Sequence, residues 1–268
     1  MKKDNISLHT AAARHARILA LLRDDGEVRI RHLRKELGVT AMTLWRDLRL
    51  LEELGQLRRV HGGARLPPSG ISEPDFENKT AIGALQKRLI AMRAVREFVH
   101  EGDVIGMEGG STVAALAAAL PKERVSVVTN SLPIALALRT HHPALPVRVL
   151  GGWLSAVSGN TTGQEAIKAV EGLRLSVCFL SATGWVRGVG PTDPNPLEIE
   201  VKRALACRAQ KVVLLMHAEK FKSGPSSVVL HPRRVDAIVT DRMPPEWVQA
   251  ELRGAGIRLV CAGKKTRA

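Results

Sequence analysis

The stretch that most restricts how this chain can fold is residues 39–65, VTAMTLWRDLRLLEELGQLRRVHGGAR. On a helical wheel Leu44, Leu48 and Leu51 share one narrow sector, Met42, Arg46, Arg49 and Glu53 take the opposite one, and Thr43 and Trp45 sit on the flanks. Thr40 is a candidate N-cap, because its hydroxyl can accept from a free amide of the first turn, and Gly55 is a stop signal. The pattern predicts a helix from residue 40 to about 54 with a leucine seam and a basic outer face. Two short segments, 57–60 and 64–66, follow it around His61-Gly62-Gly63 and read as strands joined by a tight turn.

Upstream, Ile18, Leu19, Leu21 and Leu22 mark a helix over residues 10–23 that ends at Asp24-Asp25-Gly26, after a frayed arm over residues 1–9. Glu27-Val28-Arg29 reads as a short link. Ile30, Leu33 and Leu37 then mark a second helix, closed by Gly38 in the left-handed geometry that glycine adopts most cheaply. Two helices joined by a glycine turn, the second with a basic outer face, make a helix-turn-helix, and the Gly-Gly hairpin after it makes a wing. The charge agrees. The net charge is +14, and residues 1–70 hold 14 basic against 8 acidic side chains, while the other 198 residues hold 26 against 18. Per residue the N-terminal quarter is about twice as basic, which points to a polyanion there, double-stranded DNA above all. The residues expected to meet it are Thr40, Met42, Thr43, Trp45, Arg46 and Arg49 on the helix, with Arg58, Arg59, His61, Gly62 and Arg65 on the wing.

These residues also carry a resemblance. Thr43-Leu44-Trp45-Arg46-Asp47-Leu48, then Leu51-Glu52, then His61-Gly62-Gly63-Ala64 resembles the winged helix-turn-helix of the DeoR family of bacterial transcription regulators. Trp45 stands where that family usually has the first of two arginines. An indole cannot form the bidentate hydrogen bonds of a guanidinium, so the base sequence this helix reads cannot be borrowed from the family.

Residues 67–78, rich in proline and poor in apolar side chains, read as a linker between a DNA-binding domain at 1–66 and a second domain at 79–268. A helix is expected over residues 79–100, with apolar Ile82, Leu85, Leu89, Met92, Val95 and Val99 at helical spacing, and two placements stay open for it: a connection between the domains or a helix packed across the second one. Short apolar runs then alternate with helical stretches. Strands are expected at 104–107, 125–129, 147–150, 175–181, 212–216, 237–240 and 257–261. Helices are expected at 112–120, 132–139, 164–171, 197–209 and 246–253. That alternation predicts a doubly wound α/β domain around a mainly parallel sheet, with ligands bound beyond the carboxyl ends of the strands.

Polar and glycine-rich motifs sit at those ends. Glu108-Gly109-Gly110-Ser111-Thr112 joins a strand to a helix, where two glycines admit a close approach and hydroxyls and free amides can hold a phosphate, although a simple tight turn explains them too. Thr129-Asn130-Ser131, Gly151-Gly152, Gly184 and His217-Ala218-Glu219-Lys220 follow later strands. The DeoR resemblance extends here through Gly110-Ser111-Thr112, Val128-Thr129-Asn130, Gly151-Gly152, Gly163, residues 198–203, Lys220-Phe221 and Thr240-Asp241. It implies an effector domain similar to ribose-5-phosphate isomerase that binds a phosphorylated sugar or polyol. By that similarity Ser111, Thr112, Asn130 and Lys220 are the best effector-site candidates, and Glu108, Gly110, Gly152 and Gly184 at the strand ends complete the expected site. Glu108 replaces the family's usual Asp, and His217 replaces the Asp that usually precedes the Lys-Phe pair.

The resemblance implies a repressor of a carbohydrate operon that works as a homodimer or homotetramer. The competing reading is a sugar-phosphate isomerase with a DNA-binding extension, which would need an acid-base pair beside the sugar. Glu108, Glu198, Glu200, His217 and Lys220 are suitable types, but their spacing demands no catalysis, and no cofactor is expected. Cys178, Cys207 and Cys261 form no paired motif, and His141-His142 lacks a partner cluster, so neither a disulfide framework nor a metal site is expected. With no membrane span or signal segment in view, a cytoplasmic protein is expected.

Overall fold

The computed structural model describes residues 11–53, 57–65, 76–121, 124–221 and 227–263. The chain divides into two compact units, Met1–Asp75 and Phe76–Ala268.

The first unit runs α1 (Ala11–Asp25), β1 (Glu27–Arg29), α2 (Ile30–Leu37), α3 (Ala41–Glu53), β2 (Arg58–Val60) and β3 (Gly63–Arg65). Gly38 closes α2 with φ 65°, and its amide donates back to the Arg34 carbonyl. Thr40 caps α3: its hydroxyl accepts from the Thr43 amide at 3.2 Å. The leucine seam faces inward, with Leu44, Leu48 and Leu51 packed on Ile18 and Leu22 of α1 and Leu33 and Leu37 of α2. Glu27-Val28-Arg29 is a strand and not the expected link. It pairs antiparallel with β3, Val28 opposite Ala64, so the wing is a three-stranded sheet in the order β1-β3-β2. The correction has a local cause. A Cβ at Gly63 would overlap the Val28 carbonyl, so glycine is what lets the strands meet there. Residue 66, expected to end the last strand, lies outside the described residues.

The second unit opens with α4 (Phe76–Ala81) and α5 (Ala84–Phe98). The expected single helix over 79–100 is thus two, because Gly83 breaks it with φ 65°. The His217 imidazole occupies the space that a side chain there would need, 2.7 Å from an ideal Cβ. The expected linker is shorter at its C-terminal end too. Residues 76–78 are helical, and the Phe76 amide donates to the Val157 carbonyl of the same unit; residues 67–75 lie outside the described residues.

The chain continues through β4 (Val104–Met107), α6 (Ser111–Ala114) with a 3-10 turn after it, β5 (Ser126–Thr129), α7 (Leu132–His141) and β6 (Val147–Val149). Then come β7 (Trp153–Leu154), β8 (Thr161–Thr162), α8 (Gln164–Glu171), β9 (Leu175–Ser181), β10 (Gly184–Val186) and β11 (Gly190–Asp193). The last elements are α9 (Pro196–Arg208), β12 (Ala209–Leu215), β13 (Ser227–Val228), β14 (Ala237–Thr240), α10 (Glu246–Gly254) and β15 (Arg258–Cys261). Seven strands form one parallel sheet in the order β15-β14-β12-β9-β4-β5-β6.

Two-residue alternation sorts each central strand between two cores. Val177 and Phe179 of β9 pack with Ile90, Ala94, Val113 and Ile134 of α5, α6 and α7, while Cys178 and Leu180 pack with Ala166, Ile199, Leu205 and Val248 of α8, α9 and α10. A sheet covered on both faces explains why its strands read as continuous apolar runs. The structure decides which face of α5 is buried. Its buried residues are Lys87, Ile90, Ala91, Ala94 and Phe98, whereas Ile82, Leu85, Leu89 and Met92 are 41–66% exposed. Apolar residues lie on both sides of this helix, and the small side chains of Ala91 and Ala94 are what let it lie close to the sheet. The chain order reverses between β4 and β9, so the crevice beyond their carboxyl ends is the switch point where such sheets bind ligands.

Candidate functional site

Two surfaces carry the chemistry, one on each unit. On the first, burial of the leucine seam leaves Arg46 and Arg49 exposed on the outer face of α3, with Met42 73% exposed and Thr43 beside them. Trp45 is partly buried against the unit's own core, so its indole is shared between that core and the outer surface. The Thr40 hydroxyl is exposed but already bound to Thr43 as the helix cap. On the wing, Arg58 and Arg65 are exposed and stand opposite each other, and His61 and Gly62 form the exposed tip, where Gly62 takes a left-handed φ of 78°. Arg59 is tied down: its Nε and its amide both donate to the Glu52 carboxylate, which pins β2 to the end of α3.

A buried pair that the sequence reading missed fixes the pose of α3. Asp47 is 5% exposed and accepts from Arg14 Nε at 2.9 Å and contacts His15 Nε2 at 2.9 Å. Burial alone would raise its pKa, but the hydrogen bonds from Arg14 and His15 hold it below the usual aspartate value. The only signal for it was an acid between the inward leucines of a basic helix.

On the second unit, Glu108 after β4, Asn130 after β5, Ser181 at the end of β9 and His217 after β12 gather at one edge of the sheet. Glu108 is 1% exposed and fully engaged within the protein. Its Oε2 accepts from the Ser181 amide at 3.0 Å and hydroxyl at 3.1 Å, and Oε1 lies 3.3 Å from Lys202 Nζ. Lys202 also donates to Asp193 at 2.7 Å and to the Ser181 carbonyl at 3.1 Å. Burial opposes its charge, but Glu108 and Asp193 outweigh that and raise its pKa. Lys202 lies within the motif of residues 198–203, which by itself does not mark it as buried, and no sequence pattern marks Asp193. Glu198 is buried as well and accepts from the Ser158 hydroxyl at 2.7 Å.

The glycines serve the protein first. A Cβ at Gly109 would overlap the Asn160 amide, and one at Gly110 the Ser181 hydroxyl. They let these loops come together. Gly152, with φ 122°, lies against the Thr162 carbonyl in the β7–β8 hairpin, and Gly184 pairs with Thr192 inside a small antiparallel sheet of β10, β11 and β13. Both are therefore explained by local backbone geometry. Lys220 Nζ donates to the Ala182 carbonyl at 2.9 Å. Ser111 is buried beside Thr112 at the start of α6.

What remains around the crevice is a set of buried polar atoms with no hydrogen-bond partner: Thr112 Oγ1, Asn130 Oδ1, Asn160 Oδ1, Thr192 Oγ1 and His217 Nε2. The other ends of the two amides are held, Asn130 Nδ2 by the Thr161 carbonyl at 3.1 Å and Asn160 Nδ2 by the Gly109 carbonyl at 3.3 Å. Both oxygens are thereby presented as acceptors. Buried polar atoms are nearly always satisfied, and five open ones near one sheet edge suit a ligand rich in hydroxyls.

Comparison with known proteins agrees with both surfaces. Residues 14–69 match the DeoR-like helix-turn-helix domain and residues 83–242 the DeoR C terminal sensor domain. The chain is 29% identical over 245 residues to the HTH-type transcriptional regulator GolR of Listeria innocua, covering 91% of this chain and 96% of that one. It is 31% identical over 247 residues to the HTH-type transcriptional regulator YgbI of Escherichia coli, covering 91% and 95%. It is 29% identical over 247 residues to the Escherichia coli glycerol-3-phosphate regulon repressor, covering 92% and 97%. These relatives are regulators and not enzymes, and the chain belongs with them to the DeoR family, as a DNA-binding transcriptional regulator with a sensor domain.

Proposed function

We propose that this regulator represses a carbohydrate-utilisation operon in the cytoplasm and leaves its operator when a phosphorylated sugar or polyol fills the crevice beyond β4, β5, β9 and β12. The observation that carries this reading is the cluster of open buried polar atoms, with acceptors at Asn130 and Asn160 and hydroxyls at Thr112 and Thr192. Hydroxyls of a polyol can donate to the first pair and bond to the second. The names of relatives, a glycerol-3-phosphate regulon repressor and a putative aga operon repressor, support the same ligand class. Glu108 and Lys202 neutralise each other 3.3 Å apart, which leaves neither as a free acid or base beside the sugar.

The ligand acts on DNA affinity only by favouring one of two arrangements of the protein over the other. On the DNA side, Arg46 and Arg49 on α3 read base edges while Arg58 and Arg65 bind phosphates. Fluorescence anisotropy with a labelled operator, titrated with a panel of phosphorylated sugars and polyols, tests the reading. One of them should release the operator from the wild type, whereas Thr112→Val and Lys220→Ala bind DNA normally and respond at least ten times more weakly. A full response in both variants would place the sensor site elsewhere.

A further inference from the structure

The inner face of α5 contains one residue out of keeping with the rest. Ile90, Ala91, Ala94 and Phe98 pack on the sheet, and one turn before them Lys87 is buried to 5% exposure. Its Nζ donates to the Lys79 carbonyl, an uncharged acceptor, and among the described residues no carboxylate pairs with it. A buried ammonium without a counter-charge is costly, and an apolar side chain would extend the packing face. Burial first, and then the charges of Lys220 and Lys79, push its pKa down to about 8. His217 joins the same cluster. Its ring packs on Gly83, whose carbonyl accepts from the Lys87 amide at 3.0 Å, and its Nε2 is buried with no partner. Burial, Lys220 and Lys87 hold His217 down to about 4, against the opposing pull of Asp241 and Glu219. Both α4 and α5 pack against α6, which presents the open Thr112 hydroxyl.

We propose that Lys87 is an effector-binding residue, whose ammonium receives the phosphate group of the ligand together with the Thr112 hydroxyl and His217 Nε2. This rests on the sensor reading above and locates the anionic end of its ligand. Ammonium, hydroxyl and the Nε2–H tautomer of imidazole all donate, and a phosphate monoester offers several acceptor oxygens and a negative charge for the Lys87 ammonium.

The test uses the full chain and calorimetric titration with inorganic phosphate and with glycerol 3-phosphate. Lys87→Met should weaken both at least tenfold, and Arg88→Met, which removes the same charge from an exposed neighbour on the same helix, should leave both unchanged. Equal weakening by the two variants would mean diffuse attraction only and would overturn the proposal, as would wild-type affinity in Lys87→Met. Should Lys87→Met fail to fold, Lys87→Gln decides alone, because it keeps a donor for the Lys79 carbonyl and lacks the charge. Operator release separates the two readings. Release of the wild type only by unphosphorylated sugars refutes the phosphate-sensor reading, whereas release by a phosphorylated sugar that persists undiminished in Lys87→Gln refutes the role of Lys87 alone.

Discussion

At the scale of the residue, His217 shows how one side chain couples the sensor unit to pH. Its pKa is pushed down to about 4 from an ordinary value near 6.5, first by burial and then by Lys220 and Lys87. Above pH 6.5 the imidazole is neutral in folded and unfolded chains alike. Between pH 6.5 and 4 the unfolded chain takes up a proton that the folded one refuses, so stability falls as the pH falls through that window. The loss is on the order of 2–3 kcal/mol. Urea unfolding of the second unit at pH 4.5 and 7 should show this difference, and His217→Gln should reduce it by about that amount. Arg46 makes the corresponding prediction for DNA. It is exposed on α3 and its replacement disturbs no core contact, so Arg46→Ala should weaken operator binding roughly tenfold or more while the circular dichroism spectrum stays unchanged. The histidine was visible in the sequence as a departure from a motif. Its environment was not, because Gly83 and Lys87 lie more than 100 residues away along the chain.

The scale of the element separates what periodicity can locate from what it cannot. In α3 the three seam leucines share one side, so the wheel assigned the inward face correctly, and Leu48→Ala, at a fully buried site, should cost about 2–5 kcal/mol in a thermal or urea melt of the first unit. In α5 spacing by itself chooses no side. Leu85, Leu89 and Met92, with Ile82 just before the helix, form one apolar row, yet the sheet receives Ile90, Ala91, Ala94 and Phe98. The strand β1 escaped notice because three residues carry too little alternation, and its existence depends on Gly63 across the sheet. Gly63→Ala should therefore separate β1 from β3, lower the melting temperature of the first unit and weaken operator binding; unaltered melting would contradict the close approach.

For the whole molecule, charge bears on how it works. The net charge of +14 predicts operator binding that weakens steeply with salt, and Arg58→Ala should lower the slope of log affinity against log salt by about 1 without altering sequence preference. Among the described residues no helix is long and apolar enough to cross a membrane. By itself the sequence determined the two-part architecture, the inward seam of α3, the seven strands of the parallel sheet and the motifs at their carboxyl ends, since all of these are written in spacings of a few residues. The tertiary structure alone decided which face of α5 is buried, that Glu108 is joined to Ser181 and Lys202, and that Lys87 and His217 meet around Gly83. Those facts join side chains separated by tens of residues to more than a hundred, where no local period reaches and only the folded sheet brings charge against charge.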